Sequence, residues 1–537
     1  MRAQTILVEQ PEQDATFALS REKFESIQRQ LVSPQTCQMP HSDVEKMIDA
    51  EGRELQRRLL QDHLSLRARQ EQERGLSGPV LGTDQVPRTQ QRPTDIRMMT
   101  LFGPVRVERT SYQMPGVDGL HPLDAMLNVP PESYSFGVSR RVAQEAAKSS
   151  FDEVVTAIQQ TTGAHVPKRQ VQELAKRAAV DFDAFYKERA VLERQMTPMQ
   201  LGMSDELVVV TADGKGIVMR REALLEATRR AAEMEEHKLS KRLSKGEKKN
   251  RKRMATVAAV YTILPHHRTP EDIVSDLAPV RWVEAEPERP RPQDKRVWAS
   301  VIKTPQMVIR EAFEEGLRRD PNKQRTWVAL SDGNKKQLKL FRELAQEHGI
   351  KLTIVLDIIH VLEYLWKATT VFNVESTPQA EQWVSERFLE VLRGRSSHVA
   401  AGIRRSATKR GLTKEQRKAA DKCASYLLKY GQYMHYSEYL DRGFPIATGV
   451  IEGACRYLVK DRMDITGARW GLDGAEAVLR LRALRASGDF EAYWAFHEKC
   501  EYERNHVAQY ADGEVPRLLP PSVQMPRTKR SHLTLVD

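Results

Sequence analysis

The stretch ELVVVTADGKG (206–216) is the part of the sequence that decides the fold. A run of β-branched residues ends at Asp213 and a glycine, which is the pattern of a buried strand that ends in a turn. Two later runs have the same form: TWVALSDG ends with Asp332 and Gly, and KLTIVLD ends with Asp357. In an open α/β sheet, ligands bind outside the carboxyl ends of the strands. These acids are therefore candidates for a functional site.

The residues around these runs predict a mixed α/β sheet. MATVAAVYTIL (254–264) and RVWASVI (296–302) are interpreted as strands that can pair with the first one as a meander. The helix NKKQLKLFRELAQEHG (334–349) separates the two later strands, which are therefore parallel by the crossover rule. From about 358 to 435 the sequence is helical without strand signals. The expected fold class is α/β.

The N-terminal region is predicted to be mostly helical. Residues 21–75 carry leucines at near-helical spacing with basic residues between them, which favours a solvated helical arm. Residues 82–97 are rich in Pro, Gln, Arg and Thr and are interpreted as a linker. TLFGPVRVERTSY (100–112) alternates in polarity and predicts a small β-hairpin that turns at Gly103 and Pro104.

Two helices after the hairpin have the outline of a helix-turn-helix motif. SFDEVVTAIQQTTG has Ser150 and Glu153 at capping-box positions, and PKRQVQELAKRAAVDF opens with Pro167 after a short turn. A plain helical hairpin has the same pattern and is an equally good interpretation. If the motif reads DNA, the residues that would meet the bases are Lys168, Arg169 and Gln172.

The composition limits the class of protein. Lys and Arg number 84 against 73 Asp and Glu, a net charge of +11 with an isoelectric point near 9.3, which favours a polyanionic partner such as nucleic acid. The four cysteines form no Cys-x-x-Cys pair, so a zinc ribbon or disulfide scaffold is excluded and a reducing compartment fits. No signal peptide and no apolar run long enough to span a bilayer is present, so no membrane partner is expected.

Glu452 adds a further candidate acid, because it lies alone in the apolar context GVIEG. With Asp213 and Asp332 it can form a set of oxygen ligands, which suits Mg²⁺ or Mn²⁺ rather than zinc. Two such ions about 3.5–4 Å apart can activate an attacking oxygen and stabilise a leaving one at a phosphodiester. For either Asp-Gly sequence taken alone, a simple turn is the better explanation.

Asp357 and His360 are three residues apart at a strand–helix junction. One interpretation is an Asp helix cap with a half-buried histidine. The other places the imidazole beside the metal site, where it would orient the scissile phosphate or a carboxylate. Asp357 also competes with Asp332 as the second metal ligand.

Basic residues before the second strand and after Glu452 are candidate contacts to DNA. The run before the strand can equally be a solvated loop, and for the tryptophan that could stack on a displaced base a core position is the better explanation. The candidates are Lys241, Arg242, Lys248, Lys249, Arg251, Arg253, Arg456, Lys460, Arg462, Arg469 and Trp470.

Five segments resemble the bacterial insertion-sequence transposases of the ISKra family, which is related to the Mutator-like group. They are VTADGKG, RKRMATVAAVYTILPHHRTPED, VALSDGNKKQL, VLDIIHVLEYLW and VIEGACRYLVKDRMDITGARWG, and the resemblance covers about 95–495. It implies a DDE transposase with a ribonuclease-H-like core and two Mg²⁺ ions, replaceable by Mn²⁺. Asp213, Asp332 and Glu452 would form the triad, and Asp357 with His360 matches the group's Asp/Cys-x-x-His signature.

The resemblance also implies the partners and the domain order. The partners would be double-stranded DNA, at terminal inverted repeats and at the target, and a second copy of the chain that holds the other element end. The expected location is the bacterial cytoplasm, at the nucleoid. A ribonuclease-H-like nuclease or resolvase and a non-catalytic DNA-binding derivative are the alternatives. The expected segments are a helical arm and linker (1–97), a hairpin with a helix-turn-helix-like region (98–200), a first catalytic part (201–365), a helical insertion (366–445), a last catalytic part (446–500) and a disordered basic tail (501–537).

Overall fold

The computed structural model describes residues 16–195, 205–234, 251–276, 289–465 and 467–520. The chain divides into two compact units. One unit comprises the chain up to Ala178 together with the segment from Trp494 onward, and the other comprises Ala179–Tyr493. The boundary expected at residue 200 lies outside the described ranges.

The first unit contains a three-stranded antiparallel sheet with helices before and after it in sequence. The strands, paired in the order β1-β2-β3, are β1 (Gln90–Thr100), β2 (Gly103–Met114) and β3 (Val117–Leu120). The helices up to Ala178 are α1 (Ala18–Leu31), α2 (Pro34–Cys37), α3 (His41–Arg74), α4 (Pro122–Leu127), α5 (Phe136–Ala146), α6 (Phe151–Thr161) and α7 (Lys168–Arg177).

The linker expected over 82–97 is wrong from residue 90 onward, because β1 pairs with β2 along its whole length. Most β1 residues before Ile96 are exposed, whereas Met98 and Thr100 are buried. β1 has a solvent-exposed face and many polar residues, so its composition resembles that of a linker. Composition alone therefore does not identify it as a strand. The hairpin itself is confirmed and is longer than predicted.

The solvated helical arm is also corrected, because α3 packs against this hairpin. Leu64 of α3 lies in a core cluster with Met98, Val105 and Val107, and Leu60 packs against the same cluster. The leucine spacing in the arm therefore indicates an apolar stripe that faces a core.

The predicted helix pair after the hairpin is confirmed as α6 and α7. The Ser150 side chain accepts from the Glu153 N–H at 3.3 Å and Glu153 accepts from the Ser150 N–H at 2.8 Å, which is the predicted capping box. Pro167 precedes the first residue of α7, which ends at Arg177 rather than 182. Both helices bury apolar residues, among them Val154 and Val171.

The disordered tail predicted from residue 501 is instead folded over residues 501–520, the part of it that the structure describes. The Ser77 N–H donates to the Arg517 carbonyl at 2.8 Å. Tyr510 is buried in a cluster that includes Val80. Backbone pairing and a buried aromatic ring therefore hold a segment whose composition predicts disorder, and residues 521–537 lie outside the described ranges.

The second unit is built on a five-stranded mixed sheet in the order β6-β5-β4-β7-β8. The antiparallel meander and the parallel pair predicted from sequence are both confirmed, and β4 also pairs parallel with β7. The strands are β4 (Leu207–Val218), β5 (Lys252–Ile263), β6 (Gln293–Ser300), β7 (Trp327–Ser331) and β8 (Leu352–Leu356).

Helices precede, connect and follow these strands along the sequence. The segment 366–445, expected as a helical insertion, is confirmed as helical. The helices are α8 (Phe182–Gln195), α9 (Glu226–Glu233), α10 (Pro270–Asp276), α11 (Pro305–Arg319), α12 (Lys335–Glu347), α13 (Ile358–Thr369), α14 (Pro378–Leu392), α15 (Ser396–Lys409), α16 (Lys418–Tyr430), α17 (Tyr436–Asp441), α18 (Gly449–Ala454), α19 (Asp461–Met463), α20 (Leu472–Ser487) and α21 (Phe490–Asn505), and a π-helical turn (Cys455–Lys460) joins α18 to α19. Residues Trp494 onward of α21 belong to the first unit.

The central strands are buried on both faces, which explains their continuous apolar sequences. Helix α11, which the sequence analysis does not predict, packs closely on one of them. A Cβ atom added to Gly316 of α11 would lie 2.4 Å from the ring of Trp327 in β7. Glycine therefore allows this helix to approach the sheet.

No helix within the described ranges is both long and apolar enough to cross a lipid bilayer.

Candidate functional site

The register of the sheet brings Asp213, Asp332 and Asp357 to one level at the carboxyl edge of neighbouring strands. Asp213 and Asp332 each lie two residues beyond the last pair that joins β4 to β7. Asp332 and Asp357 each directly follow the last pair that joins β7 to β8. Asp332 and Asp357 follow the ends of β7 and β8, as predicted, whereas Asp213 lies within β4, which continues past it to Val218 in pairing with β5. The prediction that this strand ends in a turn at Asp213 is therefore wrong, although the register still sets the three aspartates at one level of neighbouring strands.

Asp213 is held from two sides. The Gly214 N–H donates to its Oδ1 atom at 2.6 Å, and the Cys455 thiol donates to its Oδ2 atom at 3.3 Å. Burial and the charge of Asp213 raise the pKa of the Cys455 thiol, so the thiol keeps its proton and remains a donor. Because Cys455 comes three residues after Glu452, this bond ties β4 to the helix that carries the fourth acid.

Asp332 lies in the turn between β7 and α12. Its Oδ1 atom accepts from the Asn334 N–H at 2.8 Å, and its carbonyl accepts from the Tyr426 hydroxyl at 3.5 Å. Gly333 has a φ of +93°, a left-handed conformation that favours glycine. The Asp-Gly turn predicted as the simpler explanation is thus present, and the carboxylate remains partly exposed.

Asp357 is fully buried and caps α13. It accepts from the N–H groups of Ile359 at 3.3 Å and His360 at 3.4 Å, and its Oδ2 atom lies 2.6 Å from Nδ1 of His360. This hydrogen bond, together with the charges of Asp357, Asp332 and Glu363, raises the pKa of His360 to about 9 despite burial. The predicted helix cap is therefore confirmed, and the same geometry makes His360 a cation at neutral pH.

The pKa of Asp357 is lowered. Burial acts in the opposite direction, but the hydrogen bonds from His360 and Thr448 outweigh it. Asp357 is thus a buried carboxylate that stays ionised.

Glu452 completes the group from the α18 side. Its Oε1 atom accepts from the Thr448 hydroxyl at 3.2 Å, and its side chain is exposed. Asp357, His360 and Glu452 each place one ligand atom within 4.8 Å of the others, so these three residues can hold a metal ion.

Asp213 and Asp332 do not belong to that group, so among the described residues the predicted triad of Asp213, Asp332 and Glu452 does not bring its ligand atoms within 4.8 Å of one another. Asp213 connects to it through Cys455, and Asp332 acts on His360 through its charge. Among the described residues, Asp213, Asp332 and Glu452 form no salt bridge, whereas Asp357 pairs with His360. Three of the four carboxylates therefore lack a positive partner within the part of the chain that the structure describes.

A π-helical turn over Cys455–Lys460 directly follows α18. Such turns are rare and occur often at functional sites. Regular α-helical spacing would set Glu452, Arg456 and Lys460 on one face of the helix, and this turn interrupts that spacing. Arg456 and Lys460 are nevertheless exposed.

The residues predicted to contact DNA differ in how exposed their side chains are to solvent. Lys168, Arg169, Arg456, Lys460 and Arg469 are exposed, and Lys168 pairs with Asp152 at 2.6 Å. Others are half-buried or buried, namely Gln172, Arg251, Arg253, Arg462 and Trp470. The remaining four lie outside the described ranges, namely Lys241, Arg242, Lys248 and Lys249.

Trp470 takes the core role that was its alternative interpretation. Its Nε1–H donates to the Met463 carbonyl at 3.0 Å, and the Arg462 guanidinium lies 4.8 Å from its ring. Arg253 also turns inward, because it donates to the Val301 carbonyl at 2.9 Å. These residues stabilise the fold around the site.

Sequence reasoning missed Thr448 and Cys455, the two residues that hold the acids. Thr448 is buried and comes four residues before Glu452, and Cys455 is buried three residues after it. Polar side chains one helical turn on either side of a candidate acid are a usable signal.

No protein-family model matches the sequence, and no curated protein is detectably similar to it.

Proposed function

We propose that the chain is a DNA transposase of a bacterial insertion sequence, with a ribonuclease-H-like core, that cuts and joins DNA by a metal-dependent DDE mechanism. One observation carries the proposal: the register sets Asp213 of β4 level with the acids that follow β7 and β8, Glu452 of α18 reaches within 4.8 Å of Asp357 and His360, and three of these four acids have no salt bridge within the described ranges. The mixed sheet, its helical insertion and the net charge of +11 support it.

The donor set fits divalent cations. Carboxylate oxygens without a positive partner at a sheet edge are the environment that Mg²⁺ or Mn²⁺ prefers. Asp213, Asp332 and Glu452 would hold two such ions, with Asp357 as the alternative second ligand. When bound, the ions supply Lewis acidity for the attacking and leaving oxygens of a phosphodiester.

His360 has a different role in this proposal. Binding an ion through Nε2 would require His360 to lose the proton on that nitrogen, and its raised pKa makes this loss unfavourable at neutral pH, whereas Nδ1 would keep its hydrogen bond to Asp357. We therefore assign the ions to the carboxylates, and His360 attracts and orients a phosphate oxygen as a cation. Thr448 and Cys455 hold Glu452 and Asp213 in place.

The reaction has two displacements at phosphorus. Water attacks the phosphodiester at the element end, the bond from phosphorus to the 3′ oxygen breaks, and that oxygen leaves as a 3′-hydroxyl. The freed hydroxyl then attacks a target phosphodiester, whose own 3′ oxygen leaves. No covalent bond to the protein is needed, since the chain acts by positioning and by charge stabilisation.

The partners follow from this task. Double-stranded DNA, as terminal repeats and target, is the substrate, and a homodimer or larger assembly on DNA would hold both element ends. The helix pair α6 and α7 contributes Lys168 and Arg169 as exposed cations for DNA.

A cutting and joining assay tests the proposal. The substrate is a plasmid that carries the gene with its flanking genomic DNA, incubated with Mg²⁺, with Mn²⁺ or with EDTA. Metal-dependent nicks at the element ends followed by joining to a target support the transposase. Nicks without joining favour the ribonuclease-H-like nuclease or resolvase, and binding without nicks favours the non-catalytic derivative.

A further inference from the structure

A basic groove lies between α12 and α16 and encloses a volume of about 170 Å³. Its lining includes four cations, Lys335, Lys339, Arg342 and Lys429, and no acidic residue. We call this surface the α12–α16 groove. None of its residues belongs to the set of candidate DNA contacts predicted from the sequence.

The charge of the groove is not cancelled by the protein. Within the described ranges Lys335, Arg342 and Lys429 form no salt bridge. Lys339 pairs with Glu343 at 3.5 Å, but both side chains are exposed, so the pair is weak and screened by salt. The groove therefore presents an excess of positive charge to solvent.

Two buried tyrosines position the cations. The Lys429 ammonium lies 4.2 Å from the centre of the Tyr430 ring and 2.5 Å from its hydroxyl, and the Arg342 guanidinium lies 5.4 Å from the centre of the Tyr433 ring. The Tyr433 hydroxyl is buried and has no hydrogen-bond partner among the described residues. Cations held over fixed aromatic faces are pre-organised for an anion.

The groove is continuous with the Asp332 turn. The Asn334 N–H donates to Asp332, and the Asn334 side chain accepts from the Lys336 N–H at 3.0 Å, which caps α12. A Cβ atom added to Gly333 would lie 3.3 Å from the Tyr430 ring. The positive end of the α12 dipole therefore adjoins the Asp332 turn, and Lys335 at this end of the helix lines the groove.

We infer, resting on the proposed function, that the α12–α16 groove binds backbone phosphates of the DNA beside the phosphodiester that is cut. Closely grouped cations without an acid match the repeated charge of a nucleic-acid backbone. The volume admits a phosphate group but not a base pair, so the contact is independent of sequence. DNA bound here would run directly to the carboxylates at the sheet edge.

The test neutralises three exposed lysines of the groove in the full chain: Lys335→Gln, Lys339→Gln and Lys429→Gln together. The matched control changes three exposed lysines of the same unit by the same charge: Lys409→Gln, Lys414→Gln and Lys418→Gln. Binding of a short labelled duplex is measured by fluorescence anisotropy in EDTA over a range of salt concentrations. The thermal unfolding midpoint of each variant confirms that the fold is intact.

The groove variant is expected to bind the duplex about tenfold more weakly. The slope of log affinity against log salt concentration should also be smaller in magnitude by about three, because each lost phosphate contact reduces that slope by about 0.9. The control should keep most of the affinity and a steeper slope. Equal affinity and slope for the two variants would overturn the inference. Loss of binding to polyglutamate without loss of binding to DNA would also overturn it, and would assign the groove to an acidic protein.

The outcome is separable from that of the proposed function, because binding in EDTA requires no cutting. If the wild type cuts and joins DNA but the groove variant binds normally, the inference alone fails. If the wild type never cuts but the groove variant still loses binding, the proposed function fails and the phosphate site stands.

Discussion

The backbone N–H of Thr448 donates a hydrogen bond of 3.0 Å to Oδ1 of Asp357, which lies 91 positions earlier in the sequence. The hydroxyl of the same threonine donates to Glu452 at 3.2 Å. Thr448 is 3% exposed, so its bond to the buried Asp357 is shielded from water, whereas its bond to the exposed Glu452 is only partly buried. One residue therefore fixes the acid at the sheet edge relative to the acid on α18.

Replacing Thr448 by Val tests this connection, since it removes the hydroxyl and keeps the shape and the backbone bond. We expect metal-dependent cutting to slow by about tenfold, equivalent to about 1.4 kcal/mol, because Glu452 loses its only orienting bond within the described residues. Thr448→Ser, which retains the hydroxyl, should remain close to the wild type. Single-turnover rates at saturating Mg²⁺ measure the effect, and a Val variant as fast as the Ser variant would contradict it.

Asp213→Asn and Glu452→Gln should each abolish cutting, by about 10³-fold or more, because each removes a carboxylate assigned to the metal ions. Removal of the divalent ion with EDTA should do the same to the wild type. DNA affinity measured in EDTA should be unchanged or stronger, since a negative charge is lost. Asp464→Asn, at an exposed acid beyond the site, is the control and should cut normally. Normal cutting by both site variants would show that the triad is wrong.

Asp332 and Asp357 should respond differently to the same change. Asp357→Asn leaves His360 as a half-buried cation without its carboxylate, so we expect a loss of about 1–3 kcal/mol in the free energy of unfolding. Asp332→Asn touches a partly exposed turn and should change stability by less than about 0.5 kcal/mol. Thermal unfolding separates stability from activity, and a fully stable Asp332→Asn variant without cutting would identify Asp332 as the second metal ligand.

Acid should destabilise the first unit through His121. Burial and the charge of Arg109 lower the pKa of His121 to about 4, below its ordinary value of 6.5. A histidine with a lowered pKa favours the folded state above pH 6.5, and this contribution is lost as the pH falls from 6.5 to 4. The protection factors of the β2 amides, which correct for the slower intrinsic exchange at low pH, should therefore fall over this range by an amount equivalent to about 1–3 kcal/mol. His121→Gln should remove this part of the pH dependence, and an unchanged profile would contradict the assignment.

Gly316→Ala should destabilise the second unit by about 1–3 kcal/mol, because the new methyl group would collide with Trp327. Gly402→Ala is the matched control in α15, where an added Cβ atom meets no atom within 4 Å. The control should stabilise the helix by up to about 1 kcal/mol, since alanine is the better helix former. The two variants should therefore move the thermal midpoint in opposite directions.

The sequence predicts the central strands well because they are buried on both faces, but it misplaces the end of β4, which continues past Asp213 to Val218. It fails for β1, whose exposed face is polar, and it does not find α11, whose role depends on a glycine packed against Trp327. Local sequence patterns indicate whether a residue is buried, but they do not indicate which residues far away in the sequence it contacts.

The same limit applies to the site. The positions of the acids follow from local sequence, because strand ends and an isolated glutamate are visible there. The parts played by Thr448 and Cys455 depend on contacts with Asp357 and Asp213, far away in the chain. The burial of Arg462 against Trp470 is likewise a tertiary event that no local spacing reveals.

The first unit is built from two segments of the chain that the ribosome synthesises at different times, one before and one after the second unit. Its N-terminal part is synthesised before the second unit, whereas Arg517, which pairs with Ser77, and the buried Tyr510 are synthesised after it. The sheet and the acids of the second unit emerge in between. A nascent chain stalled after Tyr493 would thus already hold every proposed metal ligand, while its N-terminal unit would still expose the apolar surface that Tyr510 later covers.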